Sequence, residues 1–216
     1  MPPLVTDMNS EPDIAPIVAV VSGVDDPEAI CELLSSLAPE GVAALIVVQR
    51  LESKRERATA SSFAKATSRP VVVAVDGMLT EQGHVYLLPA KTVLTINGRR
   101  VCVEPDPEQV RQPGDILLAS LARERRESAI SVVLSGGGSD GAVGTQAVKR
   151  CGGLTFAQYP GSARFPSMPI SAIDTGCVDR VLWPHEIARD LARLEHAGLI
   201  SVNAMIVPYA QAAVRI

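Results

Sequence analysis

Residues 132–143 read VVLSGGGSDGAV, and this stretch decides how the chain folds. Its first residues are apolar and β-branched, its centre is glycine and serine, and its end opens a pattern of helical spacing. That order predicts a buried strand, a tight turn and a helix, the repeating unit of a parallel sheet. Gly136, Gly138 and Gly141 fall at the G-x-G-x-x-G spacing of a dinucleotide-binding turn. Such a turn also needs an acid about 20 residues on, at the end of the next strand, to hold a ribose hydroxyl. The next strand reads LTFA and is followed by Gln158 and Tyr159, with no acid beside it. Nucleotide binding is therefore disfavoured. The turn does carry one acid of its own, Asp140, where a strand-to-helix loop aims a carboxylate at a site.

Outward from the turn, strand and helix patterns alternate. Residues 17–21 (IVAVV), 43–48 (AALIVV), 71–75, 83–88, 129–134, 154–157 and 177–182 read as strands. Pro27 occupies a first helical position with Asp25 and Asp26 before it, and 28–37 places Ile30, Leu33, Leu34 and Leu37 at helical spacing. Further helices are expected at 52–66, 114–126, 142–150 and 184–195. In 114–126, Ile116, Leu117, Leu121 and Ala122 lie opposite Arg123, Arg125 and Arg126. Residues 93–96 and 100–103, joined at Asn97-Gly98, predict a hairpin. The expected fold is α/β: a doubly wound, mostly parallel sheet with helices on both faces and an inserted β-hairpin. Residues 1–16 read as a flexible tail or linker and 17–197 as the domain. Residues 198–216 read as an apolar extension packed on the domain or at a homodimer interface.

Composition narrows the function. The 216 residues suffice for one domain that buries roughly 70% of its unfolded surface without a metal or disulfide staple. With 47% hydrophobic but only 3% aromatic residues, the core must be Val, Ala, Leu and Ile, as in buried parallel strands. A net charge of −4 argues against nucleic acid as a partner. Cys31, Cys102, Cys151 and Cys177 form no CxxC pair, so buried reduced thiols are expected, with no metal site and no cofactor. The first residues lack the basic start and apolar core of a signal peptide, and no apolar run approaches the ~20 residues of a membrane span. No membrane insertion is expected, and the location is expected to be cytoplasmic.

Four segments and one residue, in order, resemble a known family. LSGGGSDGAVGTQAVKRCGGLTFAQ (134–158) is similar to the LTGMGxDGAxGLxxxxxxGGxTxAQ segment of CheB-type protein-glutamate methylesterases of bacterial chemotaxis. SMPISAIDTGCVDRVLWPHEIA (167–188), GHVYLLPAKTVLTI (83–96) and QPGDILLASLA (112–122) resemble further segments, the last of them the family's PSVDxLFxSxA. Gln49 matches the first residue of the family's Gln-His pair. The resemblance implies a Ser–His–Asp triad that hydrolyses glutamyl methyl esters on chemoreceptors, with Asp140 matching the acid. In such a triad the serine attacks, the histidine takes its proton and the aspartate orients the imidazolium.

The other two triad positions depart from the pattern. Against the family loop GASTGGxEA this chain has VSGVDDPEA (21–29), which puts Gly23 at the nucleophile position and Asp25 and Asp26 at two family glycines. Arg50 stands at the base position. Glycine offers no nucleophile, and a guanidinium stays protonated and accepts no proton. Loss of the serine or histidine of a triad costs on the order of 10⁶ in turnover, and losing both costs little more.

Ser22 is the alternative nucleophile, but a one-residue shift along an extended segment turns a side chain to the opposite face. His84 matches a family histidine of structural role, while His185 and His196 lie in or near the last helix. An ion pair from Arg50 to Asp140, Asp25 or Asp26 is an expected use of the remaining residues. Gly137 replaces the family's GMG methionine. Aspartyl-phosphate control within this chain is not expected, since the family's receiver segment has no counterpart in 1–16. The expected function is a catalytically silent domain that binds chemoreceptor segments or another signalling protein. A relocated Ser22 esterase or amidase is the alternative.

Overall fold

A computed structural model of the protein describes residues 16–106 and 112–196. Seven parallel strands form one sheet: β1 (Ile17–Ser22), β2 (Ala44–Gln49), β3 (Val71–Val73), β4 (Val85–Leu87), β7 (Ile130–Val133), β8 (Leu154–Gln158) and β9 (Arg180–Leu182). Their spatial order is β3-β4-β2-β1-β7-β8-β9. The chain therefore winds one way from β1 through β2 and the other way through β7, the doubly wound arrangement. Between β1 and β7 lies the switch point, where successive loops leave the sheet in opposite directions and usually open a crevice.

β1 and β2 are fully buried, as their unbroken apolar runs require. Alternate residues of β1 feed opposite faces. Ile17, Ala19 and Val21 pack with Leu117, Leu118 and Met168, whereas Val18 and Val20 pack with Ile30, Leu33, Phe63 and Ile187. The first face is thus covered by α3 (Pro113–Arg125), α4 (Ala142–Arg150) and α5 (Ser167–Asp174). The second is covered by α1 (Pro27–Ser35), α2 (Ser53–Ala66) and α6 (Pro184–His196). The antiparallel pair β5 (Thr92–Asn97) and β6 (Arg100–Pro105) packs beside α3, where the Ser120 hydroxyl accepts the Ile96 amide at 3.0 Å.

Several sequence expectations shift. The hairpin register pairs Asn97 with Arg100, so the two loop residues are Gly98 and Arg99 rather than Asn97-Gly98. Gly98 takes φ +54°, the positive value that a tight hairpin asks of its first loop residue. In α3, Leu118 joins Leu117, Leu121 and Ala122 in the core, and Ile116 is only half-buried, because the helix is wedged between sheet and hairpin. The strand expected from 177 begins only at Arg180, because Asp179 turns its carboxylate back onto Thr155, whose amide and hydroxyl donate to it at 3.0 and 2.9 Å. Helix α5 has no counterpart among the sequence expectations. The four cysteines are free thiols, but half-buried rather than buried. Residues 1–15 and 197–216, which hold nearly all of the expected tail and all of the C-terminal extension, lie outside the described residues.

Candidate functional site

The loops after β1, β2 and β7 meet at the carboxyl edge of the sheet and bring Ser22, Gly23, Arg50 and Asp140 to one end of the molecule. Parallel register enforces this, since Ser22 pairs with Gln49 and Val21 with Val133. All four residues singled out from the sequence therefore occupy the switch-point region. Their contacts differ sharply.

Gly23 is clamped by its neighbours. Its amide donates to the Ser135 carbonyl at 2.9 Å, and its own carbonyl accepts the Gln49 side-chain amide at 2.6 Å. A Cβ built on Gly23 would lie 2.5 Å from the Gly136 Cα, inside the limit of any real contact. From the other side, a Cβ on Gly136 would fall 2.7 Å from the Gly23 nitrogen and would also collide with the Met168 sulfur. The two loops touch backbone to backbone. The first and last glycines of the motif thus serve different ends: Gly136 permits this contact, while Gly141 turns the chain at φ +91° into α4.

Ser22 is 5% exposed, and its hydroxyl donates to the Ser135 carbonyl at 3.0 Å. The Ser135 hydroxyl accepts the Phe165 amide at 3.0 Å, and the Ser139 hydroxyl accepts from Gln112 at 3.2 Å. Each histidine is engaged elsewhere. His84 Nδ1 lies 2.9 Å from the Gln82 carbonyl, His185 Nδ1 lies 2.6 Å from Glu32 Oε1, and His196 Nδ1 lies 2.7 Å from the Ala192 carbonyl.

Asp140 holds a helix. Its Oδ2 accepts the Gly114 amide at 3.0 Å and its Oδ1 the Asp115 amide at 2.9 Å. These are first-turn donors of α3, whose own N-cap, Gln112, supplies no side-chain cap. Asp115 returns the service, since its Oδ1 accepts the Gly144 amide in the first turn of α4 at 2.6 Å. The N-cap of α4 is Gly141, which has no side chain to offer. Each helix start is thus capped by an acid from the other's neighbourhood, and both carboxylates sit at positive dipole ends.

Burial raises the pKa of both carboxyls above the usual aspartate range. The amides pull the other way, and the Asp115 charge raises Asp140 further. A Cβ on Gly114 would press on the Val21 side chain and lie 2.9 Å from Asp140 Oδ1, so this glycine lets the carboxylate seat on α3. Of the two loop acids, Asp25 is exposed and Asp26 is buried at the start of α1.

Arg50 opens onto the other side, where it lines a cavity with Lys91 and Asp106. Sequence reading missed Asp115, Lys91 and Asp106 as residues of this edge. Asp115 had a signal in the QPGD segment, whereas Lys91 and Asp106 are brought there by the hairpin's path. Among the described residues, no cluster of His, Cys, Asp and Glu has the form of a metal site, and no helix is long and apolar enough to cross a membrane.

The fold and the meeting of these loops define an α/β domain whose site is built at the switch point of a doubly wound sheet. Comparison with known proteins makes this specific: the CheB methylesterase family model matches residues 18–191, and the chain belongs to that family. It is 35% identical over 184 residues to protein-glutamate methylesterase/protein-glutamine glutaminase 1 of Myxococcus xanthus, covering 82% of this chain and 53% of the relative. It is 29% identical over 186 residues to protein-glutamate methylesterase/protein-glutamine glutaminase 3 of Paramagnetospirillum magneticum, covering 85% and 52%. The chain thus spans about half the length of these relatives. The crystal structure of the Thermotoga maritima CheB methylesterase catalytic domain matches with a TM-score of 0.75 at 27% identity, over 83% of this chain and 98% of that one.

Proposed function

We propose that this chain is a non-catalytic member of the CheB methylesterase family, acting by binding a chemoreceptor segment or another signalling protein. The observation that carries the reading is the closed nucleophile position. Gly23 lacks a hydroxyl, and the Gly136 backbone occupies the space a side chain there would need. Arg50, at the base position, accepts no proton at any physiological pH. Asp140 caps α3 through the bonds described above, which accounts for the acid without a triad. The alternative, a Ser22 nucleophile, lacks a base: its proton is directed to a backbone carbonyl, and each histidine is held elsewhere.

The test is methanol release from a glutamyl-methylated chemoreceptor peptide, with a catalytic family member as positive control. The expected rate equals the uncatalysed background. Release that disappears in Asp140→Ala or Ser22→Ala overturns the proposal.

A further inference from the structure

Among the described residues, β3 ends the sheet on one side, with β4 beside it. The Ala74 amide donates to the Leu87 carbonyl at 2.9 Å, and the Pro70 carbonyl accepts the Val85 amide at 2.8 Å. Pro70, Val72 and Ala74 therefore turn their backbone groups toward β4. Those groups alternate in direction along a strand, so the N–H and C=O of Val71 and Val73 point away from the sheet. Residues 71–75 read VVVAV, without a charge, and Val75 is 60% exposed. Sheets protect such an edge with charges, bulges or a covering segment. The described residues supply no charge here.

The chain leaves α6 near the start of that edge. Glu195, in the last turn, accepts the Ala43 amide at 2.9 Å and lies 3.9 Å from the buried Arg69 guanidinium. Arg69 also donates to the Ala38 and Ala43 carbonyls at 2.9 and 3.2 Å. Ala43 precedes β2 and Arg69 stands two residues before β3, so α6 ends at the amino edge of the sheet on the β3 side. Next in sequence come residues 197–200 and then SVNAMIV (201–207), followed by Pro208. Val202, Ala204 and Ile206 alternate with Ser201, Asn203 and Met205, the period of a half-buried strand. The steps from 196 to 201 extend about 16 Å, enough for the roughly 14 Å of three strand spacings from β2 to a place outside β3. Handedness selects this edge over β9. Helices α1 and α2 lie on the second face and carry the chain toward β3, and α6 lies on the same face. A crossover over that face toward β3 keeps the right hand, whereas a return to the outside of β9 would reverse it.

We infer that residues 201–207 add a parallel strand to the outer edge of β3. Their backbone groups pair with those of Val71 and Val73, and their apolar side chains lie beside Val75. The edge is then closed within one chain rather than by a second copy.

The test is hydrogen exchange, read amide by amide on the full ¹⁵N-labelled chain, beside a variant carrying both Asn203→Pro and Ala204→Pro. Adjacent prolines remove a donor on each side of the added strand, whichever side meets β3. In the wild type, the Val71 and Val73 amides should exchange about tenfold or more slowly than in the variant, the net worth of one hydrogen bond. The Val20 and Val47 amides of the inner strands should keep their protection in both, which shows the domain intact. Light scattering should give a monomeric mass. Unprotected Val71 and Val73 amides in the wild type overturn the added strand, and so does protection that survives the prolines. Protection that comes with a dimeric mass and fades on dilution assigns the strand to a second copy, which also overturns it.

Discussion

Two junctions at the carboxyl edge of the sheet are built in opposite ways. At the α3–α4 junction, Asp140 and Asp115 reach across to cap each other's helix, so carboxylates do the joining. At the junction between the loops after β1 and β7 no carboxylate takes part: the Gly23 and Gly136 backbones touch directly, and the Ser22 hydroxyl donates to the Ser135 carbonyl. The first junction explains why a family acid stands at 140 on grounds of stability alone, since buried first-turn amides need acceptors. The second removes the room in which that acid would have had chemistry to serve. An acid at the expected position is therefore no evidence of activity in this chain; the space around position 23 is the more informative feature.

The largest effect that breaks this comparison is expected at the backbone junction. Gly136→Val places a side chain against Met168 and Gly23, and overpacking of this kind should cost about 3 kcal/mol in urea unfolding. A loss near zero would mean the two loops stand apart. At the carboxylate junction, Asp140→Ala strands two first-turn amides and should cost about 2 kcal/mol. Combining it with Asp115→Ala should depart from additivity, because the two acids serve one helix pair.

Sequence patterning made most of the fold legible, and the reasons are local. Buried parallel strands such as 17–21 and 43–48 announce themselves as unbroken apolar runs. Helix α5 escaped because it is eight residues long, starts after Pro166, contains Pro169 and has no charged face. The four site residues were found because the family resemblance placed them. Their roles were not legible, since the partners lie far off in the chain: Ser22 bonds Ser135, 113 residues away, and Asp140 bonds Asp115, 25 residues away.

A smaller effect sharpens the carboxylate junction. Burial raises the pKa of both Asp115 and Asp140, so near and above the ordinary aspartate range the folded state binds more protons than the unfolded one. Their contribution to stability must then grow as pH falls from neutral through the raised values, and level off below the ordinary value. The unfolding free energy of wild type minus that of Asp115→Asn should rise over this window. A difference that rises with pH instead would show that the amide bonds outweigh burial.

The smallest expected effect is none at all. Gly23→Ser combined with Arg50→His restores both missing triad residues by name, yet it should release no methanol above background, because the Gly136 backbone still fills the site. Measurable turnover by that variant would show a loop able to yield.

The central claim, that no hydroxyl at this edge is an activated nucleophile, is met most directly by covalent labelling. The full chain is treated with a serine-reactive fluorophosphonate and read by intact mass and peptide mapping, beside a catalytic family member. The account predicts labelling of the control and an unmodified mass for this chain. An adduct on Ser22 that is absent from Ser22→Ala would contradict it.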